Sequence, residues 1–299
     1  MDIEALLVGM LVAGSQKDVD VVTQRYDLAK EAGTKKHGET YQARINFSAG
    51  RAYEAAEAFE KSYAAFVAVT DQDSTRADAW LGQARVKWAL LDEGDDEESL
   101  LAPIEEALFR AEREIELLGT QKRWAAEVYQ TLGEVQLRRS DYRAAARRME
   151  SALKYLPKDT KLLARIARTL RLGGSFDGSM KYWERILQVD PHSEVGIVGL
   201  ADVFIQTAAY ERGTVRVSEL ISGKRATPAM VFWHAELSWL MGDRARASRL
   251  YEEVLKADPE FVRAQVALAR IDVEEGRLDA ATRRLKSARS IEPHNPWIY

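Results

Sequence analysis

Few side chains in this 299-residue sequence could do chemistry. Four histidines, His37, His192, His234 and His294, lie far apart, and an acidic stretch runs from Asp92 to Glu98. Gly173-Gly174 is the nearest approach to a phosphate-binding loop. Each of these suggests a chemistry and then falls short of it. A calcium loop needs alternating oxygen ligands and its glycine, a pattern that the 92–98 stretch lacks. A phosphate loop needs Lys followed by Ser or Thr beside its last glycine, and Gly174 is followed by Ser175-Phe176. No Ser-His-acid set can be assembled from spacing. With no cysteine at all, disulfides, cysteine-ligated zinc, iron–sulfur clusters and thiol catalysis are excluded. The expectation is a protein that is not an enzyme and that carries no cofactor and no metal.

Composition points instead to a helical framework. There are 43 alanines but only 18 glycines and 7 prolines, a balance that favours helix over strand and loop. With 46% hydrophobic and 30% charged residues, the chain has enough apolar side chains to fold rather than stay disordered. The formal charge of −4 gives no overall basic excess for nucleic acid or an anionic membrane. No run approaches the roughly 20 apolar residues needed to span a bilayer. The apolar segment Ala5–Ala13 follows the acidic start Asp2-Ile3-Glu4, where a secretory signal wants positive charge, so it reads as a buried first helix. The expected compartment is the cytoplasm; a periplasmic location would require an export signal already removed. The abrupt end at Pro296-Trp297-Ile298-Tyr299, with no polar capping helix, suggests truncation at the C-terminus.

A 34-residue period organises the sequence. Pro157, Pro191, Pro259 and Pro293 share one grid, with Arg225 at the vacant point. Small residues recur at Gly133, Ala167, Ala201, Ala235 and Ala269, and again at Ala145, Ser179, Gly213, Ala247 and Ala281. Large residues follow the second series by four, at Met149, Trp183, Val217, Tyr251 and Leu285. This spacing describes two antiparallel helices per unit. The small residues allow close approach, the large one fills the space beside them on the same helical face, and proline falls in the loop after the second helix.

The pattern resembles the tetratricopeptide repeat family. Its clearest copy is Tyr129-x2-Leu132-Gly133, then Tyr142-x2-Ala145-x3-Met149-x2-Ala152-Leu153-x3-Pro157. The resemblance implies an all-α fold, a right-handed superhelical α-solenoid of helix-turn-helix pairs, over 1–299 as one domain. Eight repeats are expected at 3–36, 43–76, 77–125, 126–159, 160–193, 194–227, 228–261 and 262–295, joined after the first by 37–42. The third is 15 residues too long and holds the acidic insertion. His234, one residue before the small slot Ala235, should face the repeat core.

The family also implies a scaffold or adaptor that grips another protein in a groove lined by the first helix of each pair. Three residues spaced by 4 and 3 share that face: Val198, Asp202 and Ile205; Phe232, Glu236 and Trp239; Val266, Arg270 and Val273. The outer two of each trio are apolar and the middle one is charged. The expectation is an apolar helix or peptide bound along the stripe, with Asp202, Glu236 and Arg270 setting register, the protein acting as a bacterial assembly factor. The bacterial reading rests on Arg outnumbering Lys about two to one. The corresponding positions Phe47-Arg51-Glu54, Leu81-Arg85-Trp88, Gln130-Glu134-Leu137 and Ala164-Arg168-Arg171 are more polar and contain no Lys or Asn, which argues against the family's clamp for acidic chaperone tails.

Two alternatives come from the charge pattern and from the apolar stripe. Residues 92–118 carry a net charge of −9 and residues 121–171 a net +8. An RNA-contacting solenoid would use the basic segment, but aromatics free to stack on bases are scarce there, so nucleic acid is not the expected partner. The opposite charges of the two segments are expected to attract each other across neighbouring repeats. A homo-oligomer would bury the stripe against the C-terminal end of another copy.

Overall fold

The computed structural model describes residues 3–36, 38–91, 97–119, 122–222 and 226–296. His37, Asp92–Asp96 of the acidic insertion, the grid point Arg225 and the terminal Trp297-Ile298-Tyr299 lie outside the described residues, as do the side chains of Glu97 and Glu98. Sixteen α-helices and one 3-10 turn account for the ordered elements among those described, and none is a strand. The fold is an all-α solenoid of stacked helix hairpins. Its helices group into two compact units, Met1–Pro157 and Lys158–Tyr299.

In the first unit α1 (Ile3–Ser15) pairs with α2 (Val19–Lys36), and α3 (Gly38–Ala55) with α4 (Phe59–Gln72). Then α5 (Ala77–Ala89) pairs with α6 (Glu97–Leu118) and, after the 3-10 turn Lys122–Trp124, α7 (Ala125–Arg138) with α8 (Tyr142–Ala152). Residues 38–42, the joint of the sequence reading, form the first turn of α3. α1 buries Ile3, Leu7 and Met10 against Val22, Ile45 and Tyr53 of the next helices, while Val8, Leu11 and Val12 stay on its exposed side. Phe66 of α4 shows why small residues recur. A Cβ on Gly50 or Gly82 would come within 2.8 and 2.7 Å of its ring, so only glycine lets α3 and α5 close over it.

The second unit continues with α9 (Thr160–Leu172) and α10 (Phe176–Val189), α11 (Glu194–Gln206) and α12 (Tyr210–Ile221), α13 (Pro228–Leu240) and α14 (Arg244–Ala257), α15 (Val262–Glu274) and α16 (Leu278–Ile291). Within it Ala167, Ala201, Ala235 and Ala269 are buried, as are Ser179, Ala247 and Ala281 and the large residues Trp183, Val217 and Tyr251. Side-chain oxygens of Asp159, Ser193, Thr227 and Asp243 accept from first-turn N–H groups of α9, α11, α13 and α14, satisfying donors that a helix start leaves open. Pro191, Pro259 and Pro293 occupy turns after the second helices.

The turn inside each hairpin carries its own 34-residue mark. Ser140, Gly174, Ala208, Gly242 and Gly276 all have positive φ, between 53° and 90°. Glycine takes this left-handed conformation freely, whereas a Cβ crowds the carbonyl that follows. Ala208, with φ 53°, has no polar side chain to offset that crowding. Ala208→Gly is therefore expected to stabilise the second unit by about 0.5–1 kcal/mol, measured as a higher urea midpoint at unchanged slope. An unchanged or lowered midpoint would contradict this account of the turn.

Candidate partner-binding groove

The first helix of each pair presents a row of charges to its neighbours, and many of these charges find partners within the fold. In the first unit Arg85 of α5 donates bidentately to Glu54 of α3, at 2.6 and 2.9 Å, and to Glu127 of α7 at 3.0 Å. In the second, Arg171 of α9 pairs with Asp202 of α11 at 3.2 Å. Glu236 of α13 accepts from the Tyr251 hydroxyl at 2.5 Å and meets Arg270 of α15 at 4.0 Å. Asp202 and Glu236 are thus engaged inside the fold, with Arg171 and with Tyr251. A carboxylate beside a guanidinium on the next repeat offsets its own desolvation, so these pairs hold neighbouring repeats in register.

The acidic and basic segments of the first unit also meet. Glu105 of α6 accepts from Arg139 and from Gln136, both at 2.7 Å, and Glu112 accepts from Arg148 at 2.7 Å. The Tyr129 hydroxyl donates to Glu116 at 2.9 Å. Burial, with this carboxylate beside it, pushes the Tyr129 phenol well above its ordinary value. Part of the charge contrast is therefore used in joining one repeat to the next.

The nine residues expected on the apolar stripe differ in exposure. Phe232 is buried, with 3% of its surface accessible, so it does not belong to a water-exposed stripe. It packs in a core of Val231, Ala235, Tyr251, Ala264 and Leu268, with aromatic centroids 5.7 Å away at Tyr251 and 5.3 Å at Phe261. Val198, Ile205, Trp239 and Val266 are half-buried, while Val273 is 52% exposed. Trp239 lies between the guanidinium of Arg270, 4.3 Å from its ring, and that of Arg244, at 4.9 Å.

Four of the nine line one cavity of about 530 Å³ between α13, α15 and the segment after α16. Phe232 and Glu236 form one wall, Val266 and Arg270 the other. Arg263, Ala267, Glu292 and Asn295 complete it. A cavity of this size accommodates a large side chain or a short peptide segment. Val198, Asp202, Ile205 and Val273 are not part of it. The four additional residues were not singled out in the sequence. Arg263 and Ala267 were within reach, since continuing the 3-and-4 spacing back along α15 from Arg270 arrives at both. Glu292 and Asn295 follow the last regular repeat position, where periodicity has no further unit to compare.

His234 faces the repeat core, as expected from its place before Ala235. It is 4% exposed, and neither ring nitrogen has a hydrogen-bond partner among the described residues. Burial, reinforced by the nearby Arg246 charge, lowers its pKa to about 4.

Stacked helix hairpins that repeat every 34 residues define an α-helical repeat scaffold. The tetratricopeptide repeat family matches residues 131–194 and 239–299, so these two segments are tetratricopeptide repeats. The C-terminal part of a TPR repeat-containing protein from Cytophaga hutchinsonii superposes with a TM-score of 0.61 at 11% identity, over 87% of this chain and 98% of that one. A tetratricopeptide repeat protein from Parabacteroides merdae gives 0.50 at 10% identity, over 94% and 98%. At such identities these likenesses speak for the fold. No curated protein matches the chain in sequence. Tetratricopeptide repeats mediate protein–protein interactions and form a non-enzymatic type of scaffold, and no described helix is long and apolar enough to cross a membrane.

Proposed function

We propose that this protein is a scaffold whose C-terminal repeats hold an apolar helix or peptide of a partner protein, serving as an assembly factor for a larger complex. The observation that carries this reading is the cavity between α13 and α15, where four residues selected from repeat spacing converge. Its floor is apolar, from Phe232, Val266 and Ala267, and its edges carry Arg263, Arg270, Glu236 and Glu292. An apolar floor with a polar rim is the composition of a peptide-recognition site. The half-buried Trp239 and exposed Val273 extend the same helix faces beyond the cavity and offer further contact area.

The test compares wild type with an Arg270→Ala/Val273→Asp double variant in affinity capture from a lysate of the encoding organism. Both substitutions fall on exposed positions, but the first removes the Arg270–Glu236 pair, so the two proteins are compared at a temperature where helix content shows both folded. At least one protein retained by the wild type is expected to be lost by the double variant. Its addition should slow amide exchange in α13 and α15 of the wild type. Identical captures from two folded proteins would overturn the groove assignment.

A further inference from the structure

The cavity between α13 and α15 contains two guanidiniums in different situations. Arg270 has Glu236 at 4.0 Å and lies over Trp239. Arg263 is exposed, and no carboxylate of the described residues pairs with it. Its guanidinium carbon sits 4.5 Å from the Phe232 ring centroid and 5.0 Å from that of Trp233, whose rings meet edge to face. Contact with these two rings restrains a long side chain that would otherwise lose much rotamer entropy on binding. Its N–H groups donate to no acceptor among the described residues and stay open to a partner.

The two acidic groups of the cavity are turned to other partners and make no ion pair with Arg263. Glu236 already accepts from the Tyr251 hydroxyl, and Glu292 accepts from the Asn295 amide at 2.6 Å. Next to Arg263 along α15 lie Val266 and Ala267, one helical turn away and part of the cavity's apolar floor. A preoriented cation therefore stands beside an apolar hole, and both belong to one site.

Building on the scaffold reading above, we propose that this groove selects a partner segment in which an apolar side chain lies within one helical turn of an aspartate or glutamate. The apolar side chain enters the cavity over Phe232, Val266 and Ala267, and Arg263 grips the carboxylate through its free edge. A carboxylate gains a charge-assisted contact at the Arg263 edge, whereas a lysine in direct contact with that guanidinium would be repelled.

A phage-displayed library of random peptides, panned on the full chain, tests this directly. Wild type is expected to enrich peptides pairing Asp or Glu with Leu, Ile, Phe or Met three or four residues away. Arg263→Gln, checked for an unchanged helical spectrum, should keep the apolar preference and lose the acidic one. For one enriched peptide made synthetically and followed by fluorescence anisotropy, changing its Glu to Gln should weaken wild-type binding about tenfold and leave Arg263→Gln binding unaffected. Apolar enrichment without acidic excess, or acidic excess that survives in Arg263→Gln, would overturn the proposal while sparing the groove. An absence of enrichment would overturn the groove reading itself and this proposal with it.

Discussion

Phe232→Ala is expected to destabilise the C-terminal repeats by about 3–5 kcal/mol, the range for removing a fully buried phenylalanine. The side chain is surrounded by Tyr251 from its own hairpin, Phe261 from the approach to the next, and the Arg263 guanidinium above. Its loss would leave a void between two hairpins where neither can collapse without moving the other. Repeat proteins gain stability from such nearest-neighbour contacts, so the damage should stay local. Amide exchange should accelerate in α13–α16 with little change in α1–α8, and a low-temperature unfolding step should separate from the main one. Trp239→Ala, at a half-buried ring held between two arginines, should cost distinctly less. Equal effects of the two substitutions, or a uniform loss of protection along the chain, would contradict this account. Phe232→Asp is for the same reason a poor probe of binding, because lost capture would report unfolding.

The burial of Phe232 shows where repeat spacing stops being informative. The periodic slots were legible because each one answers a demand made by every hairpin. Ala145, Ser179 and Ala247 are small where two helices touch, and Met149, Trp183 and Tyr251 fill the space next to them. The all-α solenoid followed from those demands. Phe232, by contrast, lies on the first-helix face, whose burial depends on what the next repeat places over it. Val198 occupies the equivalent position one repeat earlier and is only half-buried. Phe261 and Arg263, which cover Phe232, belong to no periodic series, so the grid carried no notice of them. The same holds for the charges. Alternation between helices identified Asp202, Glu236 and Arg270 as a row on one face. Only the three-dimensional stacking shows Asp202 paired with Arg171 and Glu236 with Tyr251, and Arg263 of the cavity without an ion pair among the described residues.

His234 should make the second unit acid-sensitive between about pH 6.5 and 4. In the unfolded chain the imidazole takes up a proton near 6.5, whereas in the fold it does so only at about 4. The cause is burial of a ring that has no acceptor for a second N–H, with the Arg246 charge adding to the penalty. Between these values the unfolded state binds more protons than the folded one, so stability falls as pH drops from 6.5 towards 4 and is flat above. The difference of about 2.5 pH units corresponds to roughly 3 kcal/mol at the lower end. Asp272 behaves in the opposite sense to the histidine in protonation but not in consequence. Arg277 and Arg284 hold its pKa below the ordinary carboxylate value, so its contribution is lost as pH falls through that lowered pKa, largely beneath the histidine window. The two effects separate in a comparison of wild type with His234→Leu, an apolar replacement of similar bulk that removes both unpartnered nitrogens. Urea unfolding at pH 7, 6, 5 and 4.5 should show the wild type losing stability progressively across this series. His234→Leu should lose much less, and at pH 7 it should equal or exceed the wild type. Proton NMR of the imidazole C–H signal that disappears in the variant should give a midpoint close to 4. A midpoint near 6.5, or parallel stability profiles for the two proteins, would mean that the ring reaches solvent or a partner in solution and that the hairpin around it opens readily.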